Sequence, residues 1–292
     1  MSVDLLQDRI RKTKNPTVVD FGLMEDQIPA AYYQKEDYFP AAYELYCKEL
    51  LNALKDVVPA VRFSMNLAGV YGPDGLSCLS ELLRYAHSLG YYVLMDGPAA
   101  FSAEDAQRSA DRLLSENPWL QFDALVVDAY IGSDAIRPYA QKLALANKAL
   151  FVLARTPNRS SQDLQDLLTG SRLVHQAAAD LINRFAQGDL GKCGYAPVAA
   201  VAAANAADSL RNLRERYKYT FLLVDGYDAT NANAKNCANA FDRLGHGGVV
   251  CAGTSITAAW KNDPWTQEDC CEAAVEAANR MKKNLQRYVT IL

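Results

Sequence analysis

The chain has 292 residues, half of them hydrophobic and 22% charged, with a net charge of −4. That length supports one large α/β domain with a full core, and the slight acid excess leaves no basic stripe for nucleic acid or an anionic membrane. No apolar run approaches the roughly 18 residues of a membrane span, and the charged start, MSVDLLQDRIRKTKNP, lacks the apolar centre of a secretory signal.

The predicted elements alternate along the chain. An amphipathic N-terminal helix covers residues 1–14. PTVVDFG follows as a first strand ending on Asp20, then a helix over Ala41–Val58 with Leu45, Leu50, Leu51, Leu54 and Val57 on one face. AVRFSM (60–65) is the second strand, and Gly72-Pro73-Asp74-Gly75 is a turn leading into a helix over Leu76–Leu89. YYVLMD is the third strand, a short apolar run that stops on Asp96 and breaks at Gly97-Pro98. Ser102 caps a helix over Ala103–Ser115, with Asp105 as a short-armed partner in a capping box. ALVVDAY, carrying Asp128, is the fourth strand, and Ser133 or Asp134 starts the next helix. ALFVLART (149–156) is the fifth, followed by a long helical region, Ser161–Gln187, and a loop, Gly188–Tyr195. VAAVAAA (198–204) is the sixth strand and Asp208–Tyr217 a helix. TFLLVDG, ending on Asp225, is the seventh strand, followed by a helix over Ala232–Leu244. GGVVCAG (247–253) is the eighth, and a terminal helix runs from Trp265 to about Tyr288 within the 265–292 segment.

Alternation with helical crossovers implies parallel strands. Eight such units in about 250 residues fit a single-domain (β/α)8 TIM barrel. The rival open doubly wound sheet needs a Gly-rich phosphate turn after an early strand, and none is present. In a barrel the site lies at the C-terminal strand ends, where Asp20, Asp96, Asp128 and Asp225 all fall. One such aspartate alone reads as a helix cap; four at equivalent places point to a shared polar site.

Seven cysteines, an odd number, are scattered; only Cys270-Cys271 are adjacent and no CxxC occurs. This pattern fits a reducing cytoplasm, with cysteines as small buried apolar residues. His87, His175 and His246 stand apart from each other and from any cysteine pair, so neither a metal nor a cofactor is expected.

With the strands placed, the chain resembles orotidine 5′-phosphate decarboxylase of the longer bacterial type from end to end. NPTVV (15–19), VPAVRF (58–63), YIGSDAIRPY (130–139), FVLARTPNRSSQDLQDL (151–167) and FLLVDGYDATNANA (221–234) carry the resemblance. It implies a barrel that dimerises through its mouth, with the loop after strand three crossing over. It also implies a Lys-Asp-Lys-Asp array whose second lysine protonates the carbon that loses CO2 and whose last aspartate comes from the partner subunit. The first lysine falls on Arg62, and the D-x-K-x-x-D element falls on Asp96, Pro98 and Phe101, so only Asp96 is retained. Proline has no proton to give. The ribose-binding aspartate falls on Gly22, with Asp20 two residues earlier. The base-contacting serine after Arg155-Thr156 falls on Pro157. The phosphate-gripping Gln and Arg fall on Thr230 and Thr254. Carboxylates are gained where the family has other residues: Asp128-Ala129 for Asn-Pro, Asp225 for Pro and Asp228 for Gly.

Three readings follow: a homologue that no longer decarboxylates and acts as a binding or partner subunit, with an intact homologue as one candidate partner; a working decarboxylase with a rearranged site; or a new activity on a cationic or metal-bound ligand, since clustered carboxylates suit hard cations. The first is favoured. Its catalytic remnants are Asp96 and Arg62, the latter also readable as a salt-bridge partner of Asp96. The ligand-binding candidates are Asp20, Asp128, Arg155, Thr156, Asp225, Tyr227, Thr230, Thr254 and Ser255. Arg155 reads equally as a loop anchor, and Tyr227 either as a stacking surface or as an aromatic packed on the barrel.

Overall fold

The computed structural model describes residues 1–36 and 38–292. Its centre is a closed barrel of eight parallel strands: β1 (Thr17–Asp20), β2 (Ala60–Ser64), β3 (Tyr92–Asp96), β4 (Ala124–Val127), β5 (Ala149–Leu153), β6 (Val198–Ala203), β7 (Leu222–Asp225) and β8 (Gly248–Ala252). Each strand pairs with its neighbours in sequence, and β8 closes on β1 through Thr17↔Val250 to Val19↔Ala252. The expected (β/α)8 architecture is therefore the observed one. β4, β6 and β8 are buried along their whole lengths, as strands covered on both faces must be.

Helix α1 (Ser2–Thr13) buries Val3, Leu6, Gln7 and Ile10, a face with the 3.6-residue period. It plugs the N-terminal end of the barrel. Ser2 Oγ donates to Asp123 O at 2.8 Å, and Gln7 Oε1 accepts from Gly247 N at 3.2 Å. The other principal helices are α2 (Phe39–Leu54), α3 (Gly72–Ser88), α4 (Ala103–Leu113), α5 (Val174–Phe185), α6 (Ala207–Arg216) and α7 (Cys270–Gln286). With one end plugged by α1, the C-terminal strand ends form the open mouth.

Four helical expectations are revised. Gly72–Gly75 is the first turn of α3, because Pro73 suits a helix start. The region expected to be helical over Ser161–Gln187 is interrupted by a hairpin, Leu168–Thr169 paired with Arg172–Leu173. Gly170 there has φ +66, which a tight two-residue loop requires. The helix expected from Ser133 or Asp134 breaks into short pieces around Pro138 and ends at Asn147 in the left-handed region. The helix expected over Ala232–Leu244 survives only as Ala234–Cys237 and a 3-10 turn. Asp242 ends it by accepting from Leu244 N and His246 N at 2.8 and 2.9 Å, local bonds that compete with helix. Ser102 caps α4 as expected, its Oγ accepting from Asp105 N at 3.2 Å.

Candidate active site at the barrel mouth

Arg62 is the third residue of β2 and its side chain points into the barrel. The guanidinium spans the mouth: Nε donates to Asp96 Oδ1 at 2.8 Å, Nη1 lies 3.1 Å from Asp225 Oδ1 and 3.8 Å from Asp20 Oδ2, and Cys251 Sγ lies 3.9 Å below it. Three strand-end carboxylates, from β1, β3 and β7, thus share one cation. Strand register brings them there: Asp20 pairs with Arg62 across β1–β2, and Asp96 ends β3 beside Ser64.

The cluster is recessed but not dry. Arg62 is 7% exposed, while the Asp20, Asp96 and Asp225 side chains keep 28%, 22% and 20% of their surface in water. Burial pushes Asp20 up to about 6; Arg62 opposes that shift, and Asp96 and Asp225 reinforce it. Burial also raises Asp96 against the pull of Arg62. Burial alone would loosen the Arg62 proton, but the carboxylates, Asp225 and Asp96 foremost, outweigh it and hold the guanidinium well above its ordinary range. Cys251 is buried and its thiol is raised far above normal, so it is an inert floor.

Asp128 does not join the cluster. It is exposed, and its Oδ1 accepts from Tyr130 N in a local turn. β4 ends at Val127, one residue short of Asp128, so the pleat that aims the other aspartates inward does not govern it. Arg155 likewise lies outside the cluster. It forms a two-pronged pair with Asp166, Nη2 to Oδ2 at 2.8 Å, and lies 3.1 Å from His175 Nδ1. This is the loop-anchor role. Thr156 Oγ1 is spent on Asn158 Oδ1 at 2.6 Å and Gln165 Nε2 at 2.8 Å. Tyr227 is partly buried and packs against the core, as in the reading of it as a packed aromatic.

Pro98 and Phe101 occupy the loop from β3 to α4. Phe101 is 87% exposed; Val70, which ends the short helix Met65–Val70 after β2, and Tyr130, in the connection after β4, are each 79% exposed. Thr230, Thr254 and Ser255 are exposed at the far side of the mouth. One residue outside the candidate set organises that side. Asp228 Oδ2 accepts from Gly253 N at 2.8 Å and from Ser255 N at 3.3 Å. The excess of acid at this loop was visible in the sequence; the bond across to the loop after β8 was not, because it depends on two loops meeting. Among the described residues, no group of three or more His, Cys, Asp or Glu side chains is arranged to hold a metal ion; Arg62 stands at the centre of the three carboxylates instead.

No family model matches the chain. Curated proteins do. An orotidine 5′-phosphate decarboxylase from Rhodopirellula baltica is 29% identical over 286 residues, 94% of each chain. Those of Caldicellulosiruptor bescii and Clostridium novyi are 24% and 26% identical, with 98% of each chain covered. Two solved structures share the fold. Plasmodium berghei orotidine 5′-monophosphate decarboxylase superposes with a TM-score of 0.75 at 14% identity, covering 97% of this chain and 99% of that one. Leishmania donovani OMP decarboxylase gives 0.69 at 22%, covering 97% and 98%.

Proposed function

We propose that this chain, a divergent member of the orotidine 5′-phosphate decarboxylase family, keeps the barrel of that pyrimidine-biosynthetic family without its decarboxylation chemistry, and serves as a binding or partner subunit. One observation carries the reading: among the described residues the cation paired with the cluster's carboxylates is Arg62, and it is no acid. Losing CO2 leaves a carbanion that must be protonated, so a group able to release a proton must stand at the strand-three end. Pro98 occupies that position and has none to give. Arg62 holds its proton more firmly than a free guanidinium does, because three carboxylates surround it. The site can therefore orient a polar ligand and pin its own loops, but it has no donor for the reacting carbon.

The test is to mix the pure protein with orotidine 5′-monophosphate and follow the ultraviolet absorbance of the base. No change above the buffer rate is expected; turnover would overturn the reading. The second reading, an active decarboxylase with a rearranged site, is favoured by the names of the near-full-length relatives and predicts that turnover.

Assembly through the mouth is part of the proposal. Phe101 and Tyr130, in the connections that follow β3 and β4, and Val70, at the end of the short helix Met65–Val70 that follows β2, are all exposed, which suits a face that a second subunit covers. Burying one phenylalanine contributes roughly 1.5–3 kcal/mol. Phe101→Asp should accordingly weaken a dimer seen by sedimentation at micromolar concentration, and a wild-type monomer there would count against this assembly. No helix among the described residues is long and apolar enough to cross a membrane.

A further inference from the structure

We infer that Asp228 is a built-in anion that bars phosphate-bearing ligands from this mouth, so the molecule that the barrel binds carries no phosphate. The inference rests on the reading of the mouth as a binding site that has lost its decarboxylase chemistry.

In (β/α)8 barrels the loops after strands seven and eight commonly cradle phosphate with backbone N–H groups. In this chain the corresponding donors are already taken. Gly253 N and Ser255 N both point at one carboxylate oxygen, Asp228 Oδ2, at 2.8 and 3.3 Å. One anionic oxygen on two amide donors is the contact a phosphate oxygen would make, and charge-assisted bonds of this kind are the strong ones. Because Asp228 is tethered, its local concentration exceeds that of ordinary free phosphate. A phosphate would have to displace it and then sit beside the displaced charge.

The turn that carries Asp228 is fixed at several points. Gly226 has φ +78, and a Cβ on it would lie 2.4 Å from Pro157 Cβ, so only glycine lets these loops close on one another. Gly226 N donates to Asp225 Oδ1 at 2.9 Å, and Ala229 N donates to Gly226 O at 3.0 Å. Tyr227 N donates to Cys251 O at 3.0 Å, which fastens the turn to β8 one residue before Asp228. The carboxylate is thus preorganised over Gly253. The surroundings add to the exclusion. A Cβ on Gly253 would lie 3.6 Å from Asp228 Oδ2 and 3.7 Å from Asp20 Cβ, so a second carboxylate residue flanks the same place. The nearby cation, Arg62, is already shared by three carboxylates, and the loop positions that could offer another are Thr230 and Thr254. An uncharged or cationic ligand meets none of these penalties.

The experiment follows the Gly253 and Ser255 amide resonances during titration with inorganic phosphate, then with uridine monophosphate against uridine. In the wild type neither phosphate nor the monophosphate should move them saturably in the millimolar range. Asp228→Ala uncovers both donors and removes the charge, and should tighten phosphate and uridine monophosphate binding at least tenfold while leaving uridine unchanged. Asp228→Asn keeps an acceptor for both N–H groups, guards against a loop that fails to form, and should gain severalfold through loss of charge. Thermal unfolding confirms that each variant is folded. Saturable wild-type binding of the monophosphate at the two amides overturns the inference, as does a pair of folded variants with no gain. These outcomes are separate from the fate of the functional reading, which turns on decarboxylation of orotidine 5′-monophosphate and not on binding.

Discussion

One arginine within a barrel strand and one just past another differ in almost everything but type. Arg62 lies within β2, aimed inward by the pleat, and answers to three carboxylates from three other strands. Arg155 lies two residues past the end of β5 and answers to one carboxylate, Asp166, eleven residues on, with His175 beside it. The Arg155 site is balanced, one charge for one, and its geometry is two-pronged. The Arg62 site carries three acids for one base and sits in the mouth. Balance suits a brace between loop segments. Imbalance, with three strand-end acids on one base, concentrates negative charge at the mouth.

The sharpest way to test the contrast is to remove each guanidinium. Arg62→Met leaves three recessed carboxylates without a cation, and breaking a buried ion pair by deleting one member costs about 3–5 kcal/mol. The low end is expected, because each acid retains about a fifth or more of its side-chain surface in water. Denaturant unfolding at pH 7 should report the loss, and lowering the pH to 5 should recover part of it as the acids take up protons. Arg155→Met removes a pair whose acid is a third exposed, a smaller effect of about 1 kcal/mol. Equal losses at the two sites would break the comparison.

The smallest effect expected is one of pH. Asp20 titrates at about 6 in the fold against an ordinary value of 3.8. Between those values the folded state binds the extra proton, so this residue's contribution to stability grows as pH falls through 6 and is lost as pH rises above it. His175 works the other way: burial lowers it, so it stays neutral in the fold and disfavours folding as pH falls through its usual 6.5. The difference between wild type and Asp20→Asn isolates the first effect. The variant should be at least as stable as wild type at pH 7, and wild type should gain on it toward pH 5. A wild type that falls behind on acidification would show that Arg62, at 3.8 Å, stabilises the Asp20 carboxylate more than burial penalises it.

Sequence pattern alone determined the barrel. Eight apolar runs separated by helical stretches leave few arrangements that bury both faces of each strand, and all eight appear where the runs are. It also put Asp20, Arg62, Asp96 and Asp225 at one end, since strand direction and connection handedness fix which end collects them. Tertiary structure decided what those residues do. Whether a strand-end aspartate faces the mouth depends on whether the strand reaches it, so Asp20, Asp96 and Asp225 point in while Asp128, one residue past β4, bends into its own turn. The hairpin at Leu168–Leu173 and the capture of Gly253 and Ser255 by Asp228 were likewise not legible in the periodicity. The hairpin is local, a two-residue loop at Gly170 inside a stretch with helical periodicity, whereas the Asp228 contact arises because barrel closure brings the loops after β7 and β8 together, and a hydrogen bond between two loops leaves no periodicity to read.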